Sequence, residues 1–165
     1  MDENGLLRVI TFTAGRQPFV VRCEHETRVR DIVQAIAESW GFRDAAPLFT
    51  LCKPSSDCLP YTSDVTQLLR GAALLASHER PCKVQAGRDK AETPPLMLVR
   101  SVFGGTASTF EHNQAVLTLT AAQVAADISI GRYPPQADGN LLSHIIQQGQ
   151  PQVVLQMASQ WQSGE

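Results

Sequence analysis

The chain has 165 residues, 43% of them apolar, which suits one or two small domains with a core of their own. A net charge of −2 excludes the basic field that would draw a protein onto nucleic acid or an anionic membrane surface. No apolar run approaches the roughly 20 residues needed to span a bilayer. The opening MDENGLLRV has no basic segment ahead of an apolar one, so the expectation is a cytoplasmic protein without direct membrane insertion. Charge is unevenly spread: residues 1–83 hold ten Lys plus Arg and ten Asp plus Glu, against four and six in the remainder. The first half carries the polar surface.

In chain order, residues 7–12 (LRVITF) are rich in β-branched and aromatic side chains, residues 14–18 (AGRQP) supply turn chemistry, and residues 19–23 (FVVRC) resume the strand pattern. This predicts a β-hairpin. Residues 27–43 follow as a helix of about four turns, because Val29, Ile32, Val33, Ile36, Ala37 and Trp40 recur at spacings of three and four and form one apolar stripe. Thr27 is the expected N-cap and Gly41 the expected left-handed C-terminal stop. Residues 48–52 (LFTLC) predict a third strand and residues 53–57 a loop. A short segment around Leu59 and Tyr61, one turn at 65–69, and a last strand at 72–76 complete the unit, with Gly71 closing the turn before that strand.

A hairpin, a helix with a single apolar stripe and further short strands make the β-grasp plan of ubiquitin, in which a sheet wraps one helix. Residues 84–95 (VQAGRDKAETPP) read as a linker. Residues 96–103 (LMLVRSVF) suit a strand or a buried helical turn equally, and Gly104-Gly105 breaks the chain after them. Ser108 to Glu111 and Thr120 to Gln123 both have capping-box form. Either one helix spans 109–130 or a strand at 115–119 precedes a helix at 121–130; helix throughout is favoured. Two further stripes, Leu141, Leu142, Ile145, Ile146 and Val153, Val154, Met157, Ala158, Trp161, flank a Gly149-Gln150-Pro151 turn and predict an αα-hairpin of armadillo type, which either docks on the first domain or starts a longer array. The expected fold class is α+β. A ubiquitin-like domain occupies 1–83, a linker 84–95 and a mainly helical, armadillo-like segment 96–165.

No phosphate-cradling, dinucleotide, zinc-protease or nucleophile-elbow motif occurs, and Gly104-Gly105 beside Thr106 and Ser108 is too sparse to hold a phosphate. His25 between Glu24 and Glu26 reads as a solvated turn. Cys23, Cys52, Cys58 and Cys82 contain no CxxC pair and are expected as buried thiols in a reducing compartment; their spacing to His25 and His78 does not suit a metal. No cofactor and no catalysis are expected. A noncatalytic binding module is.

Its partner-facing surface would be an open hairpin edge, with Arg16 and Arg22 on the hairpin and Arg28 and Arg30 at the start of the helix. Glu24, Glu26 and Asp31 lie among these cations and cancel part of their field, so scattered solubility charge is the competing reading. Trp40 belongs to the core stripe. Phe42 and Arg43 follow the helix end, and Phe42, being off the stripe, is either an exposed aromatic anchor or a core residue.

The residues DIVQAIAESWGFRD (31–44), the strand at 49–51, Tyr61-Thr62 and LRGAAL (69–74) resemble the N-terminal Ras-binding domain of the ELMO (engulfment and cell motility) proteins. The likeness covers residues 7–76 and, more loosely, DGNLLSHIIQQG (138–149). It implies a ubiquitin-like domain before armadillo-type helices, binding of a GTP-loaded Rho- or Arf-type small GTPase, and recruitment of a DOCK-type exchange factor through a region absent from this sequence. It implies further an adaptor upstream of cytoskeletal remodelling and cell motility, brought to the plasma membrane by its partner. Phe42 matches an aliphatic residue that serves GTPase binding in that family. The alternative reading is a ubiquitin-like scaffold or self-association module whose armadillo segment binds a peptide.

Overall fold

The computed structural model describes residues 5–13, 18–55, 68–82, 95–102 and 112–131. Strands β1 (Leu6–Ile10) and β2 (Phe19–Arg22) pair antiparallel, with Leu7 opposite Val21 and Val9 opposite Phe19. Helix α1 (Val29–Trp40) follows, then a 3-10 segment (Arg43–Leu48), β3 (Phe49–Lys53), the two-residue β4 (Ala73–Leu74), β5 (Leu96–Arg100) and helix α2 (Gln114–Ser129). The hairpin, the helix and the third strand lie where the sequence patterning puts them.

The five strands form one sheet in the order β2-β1-β5-β3-β4, with β5 parallel to β1 and antiparallel to β3. This corrects the expected boundary at residue 83, because residues 96–100, assigned above to a separate helical segment, supply the middle strand of the sheet. The reason lies in burial. All five residues of β5 are buried, and a strand covered on both faces loses the apolar-polar alternation that distinguishes strand from helix. The sheet and α1 make an α+β β-grasp fold.

One face of the sheet, through Leu7, Val9, Leu51, Leu96 and Leu98, packs on Val29, Ile32, Val33, Ile36 and Ala37 of α1. Those five side chains are the buried stripe expected of the helix, while Trp40, the sixth, is half-buried. On the other face, Cys52, Met97 and Val99 are covered by Leu68 and Leu69, with Ala126 and Ile130 packed alongside. The sheet is a middle layer rather than a one-sided palm.

Helix α1 is shorter than the 27–43 predicted. Its N-cap is Arg28, not Thr27, and the Arg28 backbone N–H donates to the Asp31 carboxylate at 3.0 Å, whereas the Thr27 hydroxyl accepts from the Glu24 N–H at 2.9 Å and closes the preceding turn. At the other end Gly41 takes φ 75°, the left-handed value that favours glycine, and the Phe42 N–H donates back to the Ala37 carbonyl at 2.9 Å. Gly71 (φ 67°) likewise turns the chain just ahead of β4.

Of the two alternatives for residues 109–130, helix α2 bears out helix rather than strand at 115–119, although it begins at Gln114 and not at 109. Thr120 to Gln123 lies inside it and caps nothing. The cap is Asn113, whose Oδ1 accepts from the N–H groups of Ala115 and Val116 at 3.0 and 3.2 Å. Its amide nitrogen donates to the Gly41 carbonyl at 3.1 Å, joining the start of α2 to the end of α1.

Cys23 and Cys82 are both buried, as expected, but they are joined in a disulfide rather than being separate thiols; Cys52 is buried and lies outside that bond. The expected linker at 84–95 apart from Pro95, the segment around Leu59 and Tyr61, residues 65–67 of the turn expected at 65–69 and the αα-hairpin from 138 lie outside the described residues.

Candidate functional site

Strand alternation places the residues of the hairpin. Leu7 and Val9 point to α1, so Arg8 points away from it. Arg8 stands opposite Val20, and Arg22 is two positions along β2 from Val20, so Arg8, Val20 and Arg22 share the face remote from α1. All three are exposed, Val20 by 61%. On the α1 side of the same strand, Phe19 sets its ring edge-on against Trp40, with centroids 4.6 Å apart and planes inclined by 60°.

Among the described residues β2 is an outer strand of the sheet. The main-chain groups on the side of such a strand away from its partner are open to another polypeptide. An exposed apolar side chain between two guanidinium groups gives this edge both grip and sign. Arg8 was not among the sequence candidates, although the alternation of Leu7 and Val9 around it marks it as outward-facing.

The structure does not gather the other predicted arginines here. Arg16 lies outside the described residues. Arg28 is half-buried at the N-cap of α1. Arg30 is exposed, 3.6 Å from the Asp31 carboxylate, on the side of α1 that meets Pro47 and Phe49. There it lines a groove of about 300 Å³ with Val29, Val33, Pro47, Phe49 and Ser77. Arg43 pairs with Glu38 at 3.3 Å on the surface, a contact of the kind that contributes little.

Phe42 is corrected outright as an exposed anchor. It is 2% exposed, with its ring centroid 5.1 Å from that of Phe49. Gly41 reverses the chain, and the 3-10 segment then folds Phe42 under the helix, so leaving the helical stripe returns the side chain to the core.

The segment before Cys82 holds the start of α1. The N–H of Val29 donates to the Glu79 carbonyl at 2.9 Å and that of Arg30 to the Ser77 carbonyl at 3.1 Å, two helix-terminal donors that no residue within the helix can satisfy. Arg80 adds a contact to Glu26 at 2.6 Å. Among the described residues no group of three or more His, Cys, Asp or Glu side chains could hold a metal, and no helix is long and apolar enough to cross a membrane.

Strand order and helix placement define a ubiquitin-like β-grasp module with a second helix packed against its sheet. Among solved structures the chain is similar to the FERM domain in the crystal structure of the FERM and C-terminal domain complex of Drosophila Merlin. The two share 15% identity at a TM-score of 0.51, over 74% of this chain and 36% of that one. This chain therefore corresponds to little more than a third of that chain, and the likeness concerns the fold. No family model and no curated protein matches the sequence.

Proposed function

We propose that the protein is a noncatalytic interaction module that receives a partner strand on the β2 edge, and that the partner is a GTP-loaded small GTPase of the Rho or Arf type. One observation carries the reading: β2 is an outer strand on which Val20, flanked by Arg8 and Arg22, is exposed. Strand addition draws affinity from main-chain hydrogen bonds, which need no particular sequence, and specificity from the side chains that alternate along the edge. The two arginines favour an acidic partner edge and steer its approach. The Merlin structure, a FERM domain in complex with a C-terminal domain, supports a binding role for a fold of this kind.

The GTPase and the adaptor role upstream of cytoskeletal remodelling rest on the ELMO resemblance of residues 31–44 and 69–74. So does recruitment of a DOCK-type exchange factor. Binding of the full chain to a panel of Rho and Arf proteins, each loaded with GTP analogue or GDP, tests the reading. Preferential capture of GTP-loaded forms is expected; equal or absent binding across the panel removes it.

A further inference from the structure

We infer that Cys23 and Cys82 are a reversible dithiol-disulfide couple whose oxidation state sets how firmly residues 76–82 are held against the start of α1. The couple joins two places 59 residues apart in sequence. Cys23 directly follows β2, and its N–H donates to the Gly5 carbonyl at 2.8 Å at the foot of β1. Cys82 follows the turn whose Ser77 and Glu79 carbonyls receive the first N–H groups of α1. A bond between them therefore staples the exit of the outer strand to the cover of the helix N-terminus.

Reversibility follows from what remains when the bond opens. The two backbone hydrogen bonds to Val29 and Arg30 and the Arg80–Glu26 contact do not depend on sulfur, and Glu79 braces its own turn by accepting the Ala76 N–H at 2.7 Å. These contacts keep the two thiols neighbours, so the bond can re-form. They are also weak, since each hydrogen bond is a modest net contributor and the Arg80–Glu26 pair is in part exposed. Reduction therefore loosens the segment without unfolding the sheet.

In the oxidation, Cys23 and Cys82 each lose a proton, one S–S bond forms, and the two electrons reduce a small-molecule disulfide whose own S–S bond breaks to two thiols. Both sulfurs lie in buried residues, 4% and 5% exposed. Exchange then proceeds when residues 76–82 lift. Ser77 also walls the groove beside Arg30, so the same movement opens that groove. If the β2 edge is the docking surface proposed above, the couple lies at its end and gives it redox control; the inference about the couple itself does not need that reading.

The full chain, equilibrated with oxidised glutathione and then alkylated in denaturant, is digested without reduction and mapped by mass spectrometry. A Cys23–Cys82 linked peptide is expected; alkylation of both residues overturns the inference. Hydrogen exchange is then compared between oxidised and reduced protein. Reduction is expected to speed exchange at the Val29 and Arg30 amides roughly tenfold while the amides of β3 and β5 keep their protection. Unchanged exchange at Val29 and Arg30, or loss of protection throughout, overturns it. Cys82→Ser, treated with oxidised glutathione, should exchange like the reduced protein. GTPase capture by the two forms is scored separately, and its absence in both bears on the docking reading alone.

Discussion

Gln123 serves Arg100 as a substitute strand. Its Oε1 accepts the Arg100 backbone N–H at 2.6 Å and its Nε2 donates to the Arg100 carbonyl at 3.0 Å, so one side-chain amide satisfies both main-chain groups of a residue that is itself 2% exposed. The need arises from register: among the described residues β1 pairs with β5 at Leu96 and Met97, short of Arg100. Helix α2 fills the gap. The Arg100 guanidinium continues the connection, donating to the Thr120 hydroxyl at 3.1 Å and to the Val102 carbonyl at 2.9 Å.

Gln123→Ala should therefore cost about 2–4 kcal/mol, since it leaves a buried donor and a buried acceptor unmet. Urea denaturation followed by circular dichroism measures it. A loss below about 0.5 kcal/mol would mean that the amide is dispensable to β5, as at an ordinary surface position.

Phe42→Ala should destabilise by about 3–5 kcal/mol as a large-to-small core change. Had Phe42 been an exposed anchor, the variant would keep its melting temperature and lose only binding. Thermal melts of the free protein decide between these outcomes.

Charge reversal of the exposed face of the hairpin should act in the opposite sense. Arg8→Glu with Arg22→Glu is expected to leave stability within about 0.5 kcal/mol, because both side chains are exposed. Association with a GTP-loaded partner should slow by roughly tenfold or more at low salt, and added salt should narrow the difference. Stopped-flow association rates at two ionic strengths read both effects.

Asn113→Ala removes the cap of α2 and the tie to Gly41 in one step, at a cost of about 1–2 kcal/mol. Asn113→Asp keeps the accepting oxygen but loses the donor to the Gly41 carbonyl, so it should recover part of that loss. Comparison of the two by chemical denaturation separates cap from tie.

Much of the fold was legible where one face of an element meets solvent. The stripe from Val29 to Ala37 and the alternation of Leu7 and Val9 both survive because water contacts their other sides, and Gly41 marks its own turn. β5 was not legible as the middle strand, because LMLVR is buried on both faces and carries no period. Phe42 misled because distance from a helical stripe signals exposure only while the helix continues. Of the candidate surface, the placement of Arg22 on the hairpin was legible, and Arg8 was readable from the same alternation but passed over. The Cys23–Cys82 bond leaves no trace in sequence spacing, since only the three-dimensional return of residues 75–82 to the start of α1 brings the sulfurs together.

The placement of β5 also dictates when this molecule can take shape. A ribosome that has delivered everything up to residue 83 has made the hairpin, α1 and the β3–β4 ribbon, which meet through α1 but share no strand. Only with the emergence of residues 96–100 do β1 and β3 acquire a common neighbour. Until then the core lacks Leu96 and Leu98, which complete the packing of Leu7, Val9 and the α1 stripe in the finished fold.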